Sequence, residues 1–220
     1  MNLASNLLRN AQAHADRAAV RNGDGVVRYD QLERDTAHVA GLLRERGLRP
    51  GDRVGVMLPN TPEFAVVYYG VLRAGGIVVP MNPLLKAREV DYYLDDSGAR
   101  LMFAFHAFAH EAQIGAKQAG AEAIVVDPDG FGEVLAAAPP ADEVVERADD
   151  DTAVILFTSG TTGVPKGAEL THASLATNAD VVRADLLRLS ADDVIFGGLP
   201  LFHAFGQTCT LTPRSPPVRA

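Results

Sequence analysis

The chain has 220 residues, enough for one ordinary domain, or one large domain with a small annex, and for a sizeable buried core. Hydrophobic residues make up 47% and charged residues 22%, and no apolar stretch approaches the roughly 18 residues of a membrane span, so the composition is that of a globular protein. The net charge of -8 has the wrong sign for binding nucleic acid by counterion release, and we expect no nucleic-acid partner.

The cysteine content and the N-terminal residues indicate the cellular compartment. Cys209 is the only cysteine, which excludes an internal disulfide and a thiolate-rich zinc cluster and fits a reducing compartment. The N-terminus, Met1 to Ala4, lacks a basic stretch followed by an apolar core, so no signal peptide is predicted. We therefore expect a cytoplasmic, soluble protein.

Helical and extended segments alternate along the chain, which predicts an α/β fold with a mostly parallel sheet flanked by helices. The predicted strands are Val54 to Leu58, Ile77 to Val79, Leu101 to Phe105, Ala123 to Val126, Thr152 to Phe157 and Val194 to Phe196, after an N-terminal hairpin of Ala18 to Val20 and Val26 to Tyr29. The predicted helices are Leu3 to His14, Asp30 to about Arg46 with Asp30 and Glu33 as a capping box, Pro62 to Gly75, Lys86 to Leu94 and Phe108 to Gln118. Residues 128–151 are predicted to form a surface excursion with one weak helix.

The segment that carries chemistry follows the strand ending at Phe157. It holds four hydroxyl side chains, three glycines and a lysine in the ten residues Thr158, Ser159, Gly160, Thr161, Thr162, Gly163, Val164, Pro165, Lys166 and Gly167. Glycines let successive amide groups point into one concavity, hydroxyls donate from its rim, and the ammonium adds a full positive charge. Such a loop suits an anion, although a flexible polar connection is the plainer alternative. It is not a Walker A loop, because Gly167 stands where that motif has Ser or Thr.

This segment resembles the phosphate-binding signature of the AMP-binding, adenylate-forming superfamily. Other segments agree in order: Val27 to Leu32, Leu72 to Pro83 and Leu170 to His172 each resemble a core motif of that family. The resemblance covers nearly the whole chain to about Leu211. It implies that the residues of the loop bind ATP: Thr158, Ser159, Gly160, Thr161, Thr162, Gly163, Lys166 and Gly167.

A second motif, Leu199 to Gly206, resembles the aromatic motif of the same family. By that resemblance His203 lies beside the carboxylate substrate, at the entrance to the acyl pocket. An imidazole flanked by Phe202 and Phe205 would form an apolar wall with one polar edge, suited to a carboxylate at the mouth of an apolar tunnel. A core histidine bonded to a backbone carbonyl is the alternative for His203.

Other candidate sites are weaker. His106 and His110 have the spacing of metal ligands, but no H-E-x-x-H pattern surrounds them, and no metal site is predicted. No G-x-S-x-G elbow is present, so we do not predict a hydrolase. Two tyrosine doublets are predicted to be packing residues with their hydroxyls at the surface: Tyr68 with Tyr69, and Tyr92 with Tyr93.

The resemblance implies an acyl-CoA synthetase acting on a fatty acid or other carboxylate. Such enzymes use ATP and Mg²⁺ to make an acyl-adenylate and then transfer the acyl group to coenzyme A. Two alternatives stay open: a fatty-acyl-AMP ligase or adenylation domain that loads a carrier protein, and a non-catalytic truncated product. The resemblance is compatible with weak peripheral membrane association of the full-length form.

The resemblance also implies that the chain is incomplete. The adenylation lysine, the ribose-binding aspartate and the C-terminal domain are expected after Gly206, so residues 1–211 are interpreted as a partial N-terminal domain without adenylating activity. Residues 212–220 contain three prolines where the family continues as an apolar helix. Our hypothesis for this tail is a one-base deletion in a GC-rich gene, which the coding DNA tests.

Overall fold

The strands of this computed structural model form a two-stranded hairpin and a six-stranded sheet, and the structure describes residues 1–158, 163–190 and 192–211. The hairpin pairs β1 (Ala18–Asn22) with β2 (Gly25–Arg28). The sheet contains β3 (Arg53–Met57), β4 (Ile77–Pro80), β5 (Leu101–Phe105), β6 (Glu122–Val126), β7 (Thr152–Thr158) and β8 (Lys166–Thr171). Its order is β6-β5-β3-β4-β7-β8, with β8 antiparallel to β7 and the other neighbours parallel. The predicted α/β fold with a mostly parallel sheet is confirmed.

Helices connect the strands up to β7 in the predicted rhythm. The helices are α1 (Ala4–His14), α2 (Tyr29–Glu45), α3 (Pro62–Arg73), α4 (Ala87–Ser97), α5 (Ala109–Gln118), α6 (Phe131–Ala136), α7 (His172–Val181) and α8 (Ala204–Gly206). Of these, α7 and α8 were not predicted. A 3-10 turn covers His106–Phe108, and π-helical turns cover Val182–Leu186 and Gln207–Leu211. Within the described ranges, no helix combines the length and the apolar character needed to cross a bilayer.

The sheet separates two hydrophobic clusters, because successive side chains of a strand point to opposite faces. Val56 of β3 and Phe103 of β5 belong to the cluster that includes α2 and α3. Met57 and Met102, their neighbours along the same strands, belong to the cluster that includes α4 and α5. Helices therefore cover both faces of the sheet, which leaves the ends of the strands as the place for a site.

The capping prediction at the start of α2 is wrong in its residues. The helix begins at Tyr29 rather than after Asp30, because β2 leads into it without a linker. Gln31 accepts a hydrogen bond from the backbone N–H of Arg28 (2.9 Å), so it does what Glu33 was expected to do. Asp30 accepts from the N–H of Gln31 (2.8 Å) and pairs with the Arg28 guanidinium (2.9 Å).

The predicted strand from Val194 to Phe196 does not form. The side chains of this segment are open to solvent, with Val194 78% and Phe196 91% exposed. An extended segment needs a partner for its backbone N–H and C=O groups, and no described strand pairs with this one.

The tyrosines of α3 are internal, which corrects the expectation that their hydroxyls reach the surface. Tyr68 is fully buried and Tyr69 is 6% exposed. The Tyr69 hydroxyl donates to the carbonyl of Leu211 (2.6 Å). Helix α3 is enclosed because α1 and α2 contact it on one side and the chain around Leu211 contacts it on another.

Candidate functional site

The loop predicted to hold an anion is the connection of the β7–β8 hairpin. Thr158 and Lys166 form the last residue pair of this ladder, so the connection runs between these two residues. The turn follows the carboxyl end of β7, at the same edge of the sheet as the carboxyl ends of the parallel strands β3, β4, β5 and β6. Ligands of open α/β sheets bind at this edge.

Half of the predicted loop residues can be placed. Thr158, Gly163, Lys166 and Gly167 are described, whereas Ser159, Gly160, Thr161 and Thr162 lie outside the described residues. Gly163 has a φ of +80°, in the region that L side chains rarely adopt, and a Cβ there would meet nothing within 4 Å. The backbone conformation therefore requires this glycine, as the turn composition predicted.

The cationic group of the loop, the ammonium of Lys166, is open to solvent. Lys166 and Thr158 are both exposed. Within the described part of the chain, the Lys166 ammonium forms no ion pair with a carboxylate. A lysine held at a strand end, beside a hydroxyl and a glycine turn, can offer its whole charge to an anion.

Three aromatic side chains support the turn from one face of the sheet. The rings of Tyr93, on α4, and Phe157, on β7, are stacked with centroids 4.1 Å apart and 17° between their planes. Tyr92 contacts Phe157 edge-on (6.2 Å), and its hydroxyl donates to the carbonyl of Pro165 (2.7 Å). The hydroxyl of Tyr92 is thus engaged by the turn, contrary to the expectation that it would sit at the surface.

Gly167 has a packing role in the same support. A Cβ at this position would lie 2.9 Å from Cγ2 of Ile155 and 3.6 Å from Cζ of Phe157. A side chain at position 167 would therefore crowd Ile155 and Phe157, and Phe157 packs against the tyrosine rings of α4. Its predicted contact with ATP stays a prediction.

We expect Tyr92→Phe to loosen the turn without changing the ring packing. The substitution removes the hydrogen bond to Pro165 and leaves the aromatic contacts, so the free energy of unfolding should fall by about 0.5–1.5 kcal/mol. Amide exchange at the loop end of the β7–β8 ladder, at Lys166 and Gly167, should become faster. Tyr93→Phe is the matched control, because the Tyr93 ring stacks in the same cluster and its hydroxyl has no hydrogen-bond partner among the described residues. Equal exchange in the two variants would contradict this role of the Tyr92 hydroxyl.

Of the three residues predicted for the substrate site in the aromatic segment, Phe202 and His203 lie together. Phe202 is half-buried against the cluster under α3, and its ring centroid lies 4.7 Å from that of His203. His203 is exposed, which is inconsistent with the alternative of a core histidine. Phe205 is 60% exposed and has no ring contact with His203 among the described residues, so the expected wall has one aromatic side rather than two.

This segment also lies at the carboxyl edge of the sheet. Asn60, which follows β3, bonds through its side chain to the backbone of Gly197, Leu199 and Leu201. The strand order changes direction between β3 and β4, and the crevice at such a reversal is where open α/β sheets bind their ligands. Sequence reasoning missed Asn60, since nothing in its local pattern indicates a partner about 140 residues away.

The structure places the two histidines with metal-ligand spacing on different elements. His106 lies in the 3-10 turn after β5, with its Nδ1 atom 3.8 Å from Oδ2 of Asp127. His110 lies on α5. The described residues contain no group of three His, Cys, Asp or Glu side chains that could hold a metal ion.

A family model described as "AMP-binding enzyme" matches residues 7–214. Among curated proteins, a feruloyl-CoA synthase from Amycolatopsis sp is 36% identical over 207 residues, which cover 93% of this chain and 40% of that protein. A long-chain-fatty-acid–CoA ligase from Salmonella typhimurium is 31% identical, over 90% of this chain and 42% of that protein. The chain therefore spans about two fifths of the length of these relatives.

Solved structures have the same fold. A benzoate CoA ligase from Burkholderia xenovorans LB400 superimposes with a TM-score of 0.88 at 31% identity, over 96% of this chain and 43% of that chain. ATP-bound MatB from Rhodopseudomonas palustris superimposes with a TM-score of 0.83 at 32% identity, over 98% of this chain and 44% of that chain. In both, the matched part is less than half of the solved chain.

Proposed function

Because this chain belongs to the AMP-binding enzyme family, we propose that it forms the phosphate-binding part of an ATP-dependent acid–CoA ligase. In this proposal the turn from Thr158 to Gly167 binds the ATP polyphosphate, and the segment around His203 borders the carboxylate substrate. The observation that supports the proposal is the exposed ammonium of Lys166, which forms no ion pair with a carboxylate in the described ranges and follows the turn residue Gly163. ATP-bound MatB, at 32% identity, supports ATP as the anion.

A carboxylate is a poor electrophile, and ATP supplies the leaving group that the acid lacks. The part of the protein in this step is electrostatic: Lys166 and the hydroxyls of the turn would stabilise negative charge on the phosphates. Mg²⁺ belongs to the proposal as an ion that arrives with the nucleotide, because Mg²⁺ is usually held by substrate phosphates with one or two protein carboxylates. The absence of a three-ligand cluster among the described residues is compatible with that arrangement.

We propose a fatty acid as the substrate and coenzyme A as the acceptor. Phe196, Leu199 and Phe205 leave apolar surface exposed in the segment around His203, and an apolar tail is the complement of such surface. The long-chain-fatty-acid–CoA ligase among the relatives supports this choice, whereas the feruloyl-CoA synthase makes an aromatic acid the rival.

The test is ATP binding by the 220-residue chain and by Lys166→Ala, measured by isothermal titration calorimetry with Mg²⁺ present. Loss of a hydrogen bond to a charged group is worth about 1.5–3 kcal/mol, so ATP should bind about 10- to 150-fold more weakly to the variant. Lys117→Ala, which removes an exposed lysine from α5, is the matched control and should bind ATP as the unaltered chain does.

Two results would contradict the proposal: no measurable ATP binding by the unaltered chain, or equal losses in Lys166→Ala and Lys117→Ala. A second titration with decanoate and with ferulate, followed by the NMR signal of the His203 imidazole, separates the two acid classes. A shift caused by decanoate alone supports the fatty acid, and a shift caused by ferulate alone replaces it with an aromatic acid.

A further inference from the structure

The segment from Gly197 to Leu201, which leads into Phe202 and His203, has no partner strand among the described residues. Its neighbours Val194 and Phe196 are 78% and 91% exposed, whereas Leu201, at its end, is 8% exposed and belongs to the core cluster. Burial therefore anchors this segment at Leu201 but not at Gly197 or Leu199. The position of His203 depends on this segment, because the N–H of His203 donates to the carbonyl of Pro200 (3.1 Å) in a turn. Whatever holds residues 197–201 therefore also places His203.

The side chain of Asn60 holds that segment with three hydrogen bonds. Its Nδ2 group donates to the carbonyls of Gly197 (2.9 Å) and Leu199 (2.7 Å), and its Oδ1 atom accepts from the N–H of Leu201 (2.9 Å). These backbone groups belong to alternate residues, as do the groups that an extended chain presents along one edge. A single amide thus takes the place of a neighbouring strand.

Asn60 is suited to this task by its chemistry and by its own anchorage. A primary amide carries two N–H donors and an acceptor in one plane, whereas aspartate has no donor and alanine has neither. The residue stands between Leu58, which is fully buried and directly follows β3, and Thr61, whose carbonyl accepts from the N–H of Phe64 (3.0 Å) at the start of α3. The amide therefore extends from the central part of the sheet.

A second set of contacts comes from α8 and the residue that follows it. Gln207 donates through Nε2 to the carbonyl of Leu201 (3.0 Å). A Cβ on Gly206 would lie 2.2 Å from the carbonyl oxygen of Pro200, so α8 approaches the segment at backbone distance. These contacts fix Pro200 and Leu201 in addition to the hydrogen bonds of Asn60.

We propose that Asn60 is a positioning residue that sets where Phe202 and His203 stand at the carboxyl edge of the sheet. Its consequence for the carboxylate substrate rests on the proposed function. The hydrogen bonds themselves do not, so the test below needs neither ATP nor an acid and can fail independently of that function.

The experiment compares Asn60→Ala, Asn60→Asp and Asn60→Leu with the unaltered 220-residue chain. Asn60→Asp keeps the side-chain volume if a larger change prevents folding. Asn178→Asp, at an exposed position of α7, is the matched control. The readouts are hydrogen exchange at the Leu201 amide and the NMR signal of the His203 imidazole, assigned by its loss in His203→Ala.

We expect exchange at Leu201 to become about 10-fold faster in Asn60→Ala and Asn60→Leu, which lack the acceptor. In all three variants the His203 signal should move or broaden, because the hydrogen bonds from residue 60 to the carbonyls of Gly197 and Leu199 are lost. Asn178→Asp should change neither readout. An unchanged His203 signal in the Asn60 variants would overturn the proposal, and so would the same change in Asn178→Asp, because a general loss of stability would then explain it.

Discussion

Replacing Arg73 with methionine is expected to lower the free energy of unfolding by about 3–5 kcal/mol, the cost of breaking a buried ion pair by removing one partner. Arg73 is the last residue of α3, and its side chain is only 4% exposed. Its guanidinium pairs with the carboxylate of Glu33 on α2 (2.7 Å). The same group donates to the carbonyl of Ala141 (2.7 Å) and to that of Asp142.

The size of the effect follows from what Arg73 joins. Residues 137–151 contain no helix or strand, so their backbone groups depend on bonds to other elements. Arg73 supplies two of these bonds, and its own carbonyl accepts a third from the N–H of Val145 (2.9 Å). Methionine fills similar space but leaves the carbonyls and the Glu33 carboxylate without their donors, and unpaired buried polar groups are costly.

Chemical denaturation of Arg73→Met, Arg73→Lys and Arg34→Met distinguishes this role from the loss of a charge. Lysine keeps the charge but not the five-donor fork, so Arg73→Lys should lie between the unaltered chain and Arg73→Met. Arg34, on the exposed side of α2, is the matched control, and its replacement should change the stability by no more than about 0.5 kcal/mol. A similar loss in Arg73→Met and Arg34→Met would refute the argument.

Most of the strands of the sheet were predictable because their signals are local, but β8 (Lys166–Thr171) was not predicted. The apolar run Leu101–Phe105 is bounded by polar or small residues and forms β5 with the predicted ends. The turn between β1 and β2 was equally predictable, since Gly23 adopts a φ of +57° that the Asn-Gly sequence favours. Val194 to Phe196 shows the limit of such signals: its composition suits a strand, but a strand also requires a neighbour, which composition does not reveal.

The candidate site likewise combines features that the local sequence predicts with contacts that it does not predict. The glycine-rich turn and Lys166 could be found from composition, because the backbone conformation and the charge belong to the residues themselves. The residues that support the site could not, since Tyr92 bonds to Pro165 and Asn60 to Leu199 across 73 and 139 positions of the chain. Glu33 is instructive, because its sequence pattern predicted a capping role but its carboxylate pairs with Arg73 on another helix.

The chain is expected to lose stability on mild acidification through His172, the first residue of α7. The side chain is 1% exposed, and its Nδ1 atom accepts a hydrogen bond from the N–H of Leu3 (3.2 Å). Burial lowers the pKa of His172 to about 4, and the positive charges of Arg147 and of the N-terminal amine act in the same direction. Asp151 and Asp149 oppose them, but Asp151 pairs with Arg147 (2.9 Å) and Asp149 with the amine (2.7 Å).

The sign follows from the protons bound in each state. In the unfolded chain His172 takes up a proton near pH 6.5, whereas in the folded chain it stays neutral down to about pH 4. The unfolded state therefore binds more protons between these values, and the folded state loses stability as the pH falls through that window. The lowered pKa of His172 accounts for about 2 kcal/mol of loss between pH 7 and pH 5, and about 3 kcal/mol over the whole window.

Urea denaturation at pH 7 and pH 5 measures this loss, and His172→Asn identifies its source. Asparagine offers Leu3 an acceptor oxygen that does not titrate, so the variant should retain most of its stability at pH 5 even if it begins with less at pH 7. His110→Asn removes an exposed histidine from α5 and is the matched control, which should lose stability on acidification as the unaltered chain does. If His172→Asn keeps the same pH dependence as the unaltered chain, the titrating group lies elsewhere. The loss is assigned to His172 because protonation would leave Nδ1 without the lone pair that accepts the hydrogen bond from Leu3.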